Sequence, residues 1–135
     1  MIKKKPKWEV VELTLVNGTV ADTLKTGLYN PDKDYGFVTK VWAKVMNLAN
    51  QTYVKLQLFD GAGNILIDAT PAELWSGGTG VEPDKMMRSL YNGVRTGQQL
   101  KVGAKTPVGA ANVNADILIV FTFQLEDELV EVARV

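Results

Sequence analysis

Val113-Asn114-Ala115-Asp116-Ile117-Leu118-Ile119-Val120-Phe121-Thr122-Phe123-Gln124-Leu125 is the longest alternating run in the chain. Val113, Ala115, Ile117, Ile119, Phe121, Phe123 and Leu125 recur at every second position, which lines them along one face of a β-strand. Leu118 and Val120 make the opposite face apolar too. A strand apolar on both faces must be covered on both sides. The core of the chain covers one side. Either a loop of the same chain or another subunit covers the second.

The same period recurs upstream. Val11, Leu13 and Leu15 alternate with Val10, Glu12 and Thr14, and Asn17-Gly18 then turns the chain. Tyr35 to Met46 sets Phe37, Val41, Ala43 and Val45 on one face and Lys40, Trp42 and Lys44 on the other. Tyr53 to Phe59 sets Val54, Leu56 and Leu58 against Lys55 and Gln57. Asp60-Gly61-Ala62-Gly63-Asn64 is a turn, and Ile65 to Ala69 returns as its hairpin partner. Leu100, Val102 and Ala104 alternate with Lys101 and Lys105.

Helix signals are scarce. Thr70-Pro71-Ala72-Glu73-Leu74-Trp75 has a capping Thr, a Pro at the first helical position and an early Glu, enough for one or two turns. Asp84 to Tyr91 fits either a short helix or a strand. Ser76 to Gly80 and Pro107 to Asn112 read as loops. The expected fold is all-β: an antiparallel β-sandwich, jelly-roll-like, of seven or eight short strands with at most one or two short helical turns. Its core is expected to include Leu13, Phe37, Val41, Val45, Leu56, Leu58, Val102, Ile117, Ile119 and Phe121.

Composition bounds the function. A chain of 135 residues, 46% apolar and 22% charged, builds one hydrophobic core. Lys plus Arg equals Asp plus Glu, so the net charge is zero, which argues against a nucleic-acid binder working through bulk positive charge. Zero net charge also leaves a protein poorly protected against self-association, as suits a member of an assembly. The longest apolar run, Ile117 to Phe121, is far short of the roughly 20 residues that span a bilayer, so no membrane partner is expected. The lysines near Met1 are followed by no apolar stretch of the signal-peptide kind, so use without Sec export is expected. The domain reading is a basic N-terminal arm at 1–7, one sandwich domain at 8–125 and an acidic tail at 126–135.

The order of the pieces resembles a class of small β-sandwich virion proteins of tailed bacteriophages. The resemblance rests on Pro31 followed by Tyr35-Gly36-Phe37-Val38-Thr39-Lys40-Val41, then Leu56-Gln57-Leu58-Phe59-Asp60-Gly61, then Pro71 to Trp75. Gly97-Gln98-Gln99-Leu100-Lys101-Val102 and Asp116-Ile117-Leu118-Ile119-Val120-Phe121 complete it, over roughly residues 28–125. The class holds capsid decoration proteins, head fibres and tail-associated proteins. The resemblance therefore implies a β-sandwich, a place in the virion after assembly in the host cytoplasm, and partners among other virion proteins: the major capsid protein or neighbouring copies in a homo-oligomer.

Catalytic chemistry finds little material. The chain has no His and no Cys, so it lacks the side chain best suited to proton transfer near neutral pH, the thiol nucleophile and thiolate metal sites. Its two serines, Ser76 and Ser89, lie in no nucleophile-elbow sequence. Asp32 and Asp34 sit in Asn30-Pro31-Asp32-Lys33-Asp34, which reads as a polar turn. Asp60, Asn64 and Asp68 offer too few oxygens at the wrong spacing for a calcium loop. Ser76 to Gly80 lacks the Gly-Lys-Ser/Thr ending of a phosphate cradle. No enzyme, no cofactor and no metal is expected. The interface candidates are Lys3, Lys4, Lys5 and Lys7 on the arm, with Trp42, Leu118 and Val120 on strand faces. A glycan- or receptor-binding module, with Trp42, Trp75 or Tyr91 as sugar platforms, is the alternative function.

Overall fold

A computed structural model describes residues 5–46, 54–75 and 88–127. Their strands are β1 (Lys7–Leu15), β2 (Lys25–Tyr29), β3 (Phe37–Val45), β4 (Lys55–Phe59), β5 (Ile65–Pro71), β6 (Arg88–Arg95), β7 (Leu100–Lys105) and β8 (Ile117–Glu126). They form two four-stranded sheets, ordered β1-β8-β3-β6 and β2-β7-β4-β5. Every pairing is antiparallel, and β1 joins β8, β2 joins β7, β3 joins β6 and β4 joins β5. The chain is thus one long hairpin, rolled so that successive pairs fall in alternate sheets. That is a jelly roll of eight strands, the expected fold class.

The core fills the space between the sheets. Leu13, Val41, Leu56, Leu58, Val102, Ile117, Ile119 and Phe121 are all buried there, as their alternation predicts. Trp75 is 0% exposed and meets Phe121 edge to face, ring centroids 6.0 Å apart. Tyr29 stacks on Phe123 at 4.3 Å. Such aromatic pairs add about 0.5–1.5 kcal/mol beyond the area they bury.

Two expected core residues sit elsewhere. Phe37 is only partly buried and Val45 is half-buried at the edge of the core. A bulge at Thr39 explains Phe37. Val38 pairs with Leu125 and Lys40 with Gln124, so β3 spends two steps where β8 spends one. An extra residue reverses the in–out parity of everything before it. Val38 therefore enters the core at 0% exposure and Phe37 turns to the outer face. There the Arg95 guanidinium lies 5.4 Å from its ring centroid.

The helical expectation at Thr70 to Trp75 is met only by a 3-10 turn over Ala72–Trp75. Thr70 lies within β5, and its hydroxyl accepts a 2.9 Å hydrogen bond from the Trp75 indole Nε1. Asp84 to Tyr91 lies outside the described residues as far as residue 87, and Arg88 onward is strand β6. The Ser76 to Gly80 loop also lies outside the described residues.

Both acidic turns carry local hydrogen bonds of their own. The Asp60 carboxylate accepts from the Ala62 and Asn64 amides, 2.9 Å each, and from the Asn64 side-chain amide at 3.0 Å. These bonds, those from Asn64 foremost, hold its pKa below the ordinary aspartate value. Gly63 closes the turn at φ +91°, a conformation that L residues rarely adopt. In the second turn the Asp32 carboxylate accepts from the Asp34 amide at 2.9 Å, and its carbonyl from the Tyr35 amide at 3.2 Å.

Candidate interaction surface

β8 lies between β1 and β3, so the outer face of that sheet is a grid whose rows follow from register. Trp8, Gln124 and Lys40 form the first row, and Val10, Thr122 and Trp42 the second. Glu12, Val120 and Lys44 form the third, and Thr14 and Leu118 begin the fourth. Trp8 is 50% exposed and Val10 58%, while Trp42, Leu118 and Val120 are half-buried. The Trp8 indole Nε1 donates to Gln124 Oε1 at 3.3 Å, which ties the ring to the middle strand.

Trp42, Leu118 and Val120, expected as separate interface candidates, thus come together on one surface. The sequence reading missed Trp8 and Val10. Their alternation was legible, but their place beside β8 depends on a pairing that spans more than a hundred residues. Glu12 and Lys44, both exposed, flank Val120 from its two sides. They stand on either side of Val120, two strand spacings or roughly 9–10 Å apart.

The basic candidates divide. Lys3 and Lys4 lie outside the described residues, and Lys5 is exposed. Lys7 is the first residue of β1, on the inward-facing side of that strand. Its ammonium is 2.6 Å from Asp32 Oδ2 and 3.6 Å from Glu9 Oε2. The bond to Asp32 raises its pKa above the ordinary lysine value, and desolvation partly opposes this. The charge of Lys7 is therefore engaged within its own chain.

Glu9 is the hub of that cluster. Its Oε1 accepts from the Tyr29 hydroxyl at 2.7 Å and from the Asp32 amide at 3.1 Å. Burial, then the bond to Glu9, drives the Tyr29 phenol far above its ordinary pKa. The two carboxylates are committed to a lysine, a phenol and two backbone amides, so the cluster fastens β1 to β2 and the turn after it. Among the described residues no three His, Cys, Asp or Glu are grouped to hold a metal ion. No described helix is long and apolar enough to cross a membrane.

Of the proposed sugar platforms, Trp75 is buried against Phe121 and is removed from consideration. The side chain of Tyr91 lies outside the described residues. Trp42 remains, in the second row of the grid. The chain matches no protein-family model, no curated protein and no solved structure.

Proposed function

We propose that this protein is a non-enzymatic structural component of a bacteriophage virion, of the capsid decoration, cement or head-fibre type, that meets neighbouring subunits through the outer face of β1, β8 and β3. The observation that carries the reading is the exposure of Trp8 and Val10 beside Trp42, Leu118 and Val120 on one sheet face. Apolar surface gathered in this way marks an interaction site more often than a solvated one. The jelly roll supports the reading as a fold common in capsid proteins, although it hosts other functions too. The order of strand motifs between residues 28 and 125 supports the virion class. A protein that binds only the assembled particle stabilises it by mass action, with no turnover.

Basic Lys3, Lys4 and Lys5 add electrostatic steering towards an acidic neighbour, worth at most about 1 kcal/mol per exposed pair and weakened by salt. Lys7 is left out of this role because Asp32 and Glu9 hold it. The test is occupancy on particles of the phage that carries the gene, measured by co-sedimentation. Val120→Asp is expected to fold and to lose most of its occupancy. Deleting residues 1–6 is expected to lower occupancy as ionic strength rises. Undiminished occupancy of Val120→Asp overturns the reading.

A further inference from the structure

We infer that the outer face of β1, β8 and β3 packs face to face on the same face of a second copy, about a two-fold axis running along β8. The inference rests on the reading of this face as an assembly surface and names its partner. The argument is the charge pattern of the grid. Along the outer face, β1 presents Trp8, Val10, Glu12 and Thr14, while β3 presents Lys40, Trp42 and Lys44.

A two-fold axis parallel to β8 keeps each row in place and exchanges the two flanking strands. Glu12 of one copy then lies over Lys44 of the other, and the reverse, giving two opposite-charge pairs. Val10 lies over Trp42, and Val120 lies over its own symmetry mate. The interface is isologous, as closed dimers require. Facing sheets stand about 10 Å apart, a gap that a glutamate and a lysine side chain span together. The alternative axis, across the strands, stacks β1 on β1 and β3 on β3, so neither Glu12 nor Lys44 meets its opposite charge and both pairs are forfeited. The pattern therefore selects one axis of the two.

The three strands and their rows give a footprint of about 15 by 20 Å per copy. At about 300 Å² per copy, roughly 600 Å² in all, that is below the ~1,000 Å² of a lasting interface, so the dimer is weak, forms reversibly and depends on concentration.

Charge exchange tests the pairing in the full chain. Sedimentation equilibrium over a rising concentration series is expected to move the mass from 14.8 kDa to twice that value. Glu12→Lys and Lys44→Glu each replace two attractions with two repulsions and are expected to raise the dimer dissociation constant about tenfold or more. The double variant E12K/K44E restores the pairing with signs exchanged, and its constant should return to within about threefold of the parent. Circular dichroism of each variant checks that the exposed substitutions leave the fold intact. A monomer at every concentration, or a double variant no better than the singles, overturns the self-pairing. Those results leave the particle reading standing, because that reading fails separately, through undiminished occupancy of Val120→Asp on particles.

Discussion

Val38→Ala and Phe37→Ala measure the bulge at Thr39 directly, because the bulge decides which of the two neighbours is core. Under an unbroken alternation Phe37 would be buried, and its truncation would cost about 3–5 kcal/mol. Val38 would then be exposed, and its truncation would cost less than about 0.5 kcal/mol. The observed register reverses the order. Val38 and its partner Leu125 are both 0% exposed. Removing two buried methyl groups forfeits about 1.6 kcal/mol of transfer free energy. A residual void of roughly 40 Å³ adds about 1 kcal/mol. Val38→Ala is therefore expected to cost about 2.5 kcal/mol. The partly buried Phe37 ring loses about half a full phenylalanine burial, near 1 kcal/mol, and an exposed cation–π contact of about 0.5 kcal/mol with Arg95. Urea unfolding of the parent and both variants, read at a shared slope, gives the two costs. A Phe37→Ala cost above about 3 kcal/mol, beside a negligible one for Val38→Ala, refutes the bulge.

Phe121→Ala is expected to be the severest of the core truncations, at about 3–5 kcal/mol in the same assay, because it empties the middle of the sandwich and removes the edge-to-face partner of Trp75. Stability should also fall at alkaline pH. The folded state holds the Tyr29 phenol proton far more tightly than the unfolded chain does, whose phenol titrates near 10.0. Its contribution is therefore complete below pH 10 and is lost as pH rises above it, by about 1.4 kcal/mol per pH unit for one proton. Tyr29→Phe is expected to flatten that fall in pH-dependent urea melts, while giving up about 1–2 kcal/mol at neutral pH with the hydrogen bond to Glu9. An unchanged alkaline slope would count against the Tyr29–Glu9 pair.

The parts of the fold that were legible in the sequence are those where alternation is local and uninterrupted. The run from Val113 to Leu125 reads as a strand because no residue breaks its period. From Ile117 it is β8, the middle strand of the three that build the surface, while Val113 and Ala115 precede the strand and Ala115 is exposed. The β4–β5 hairpin reads from Asp60 to Asn64 because the turn is built from its own side chain and glycines. β2 did not read at all: of Lys25–Tyr29 only Tyr29 is buried, and an edge strand with one core residue carries no period. Phe37 was misplaced because a bulge is one uncounted residue, and hydrophobicity cannot tell Val38 from Phe37 as the inward neighbour. Of the surface, Trp42, Leu118 and Val120 were legible one strand at a time. The grid needed β1 and β3 to be set on either side of β8, and strand order is a property of the whole roll.

That strand order has a consequence for how the protein is made. β8 is the bridge between β1 and β3, yet it is the last of the described strands to be synthesised. Until residues near 126 leave the ribosome, β1 has no partner in its sheet and β3 has only β6. Their apolar faces must wait in water until β8 has been made. Closure then demands contacts between distant parts of the chain, the kind that make folding slow and aggregation competitive. The nascent chain is thus expected to lean on chaperones before β8 arrives, and a ribosome stalled within β8 would release an open, adhesive half-roll.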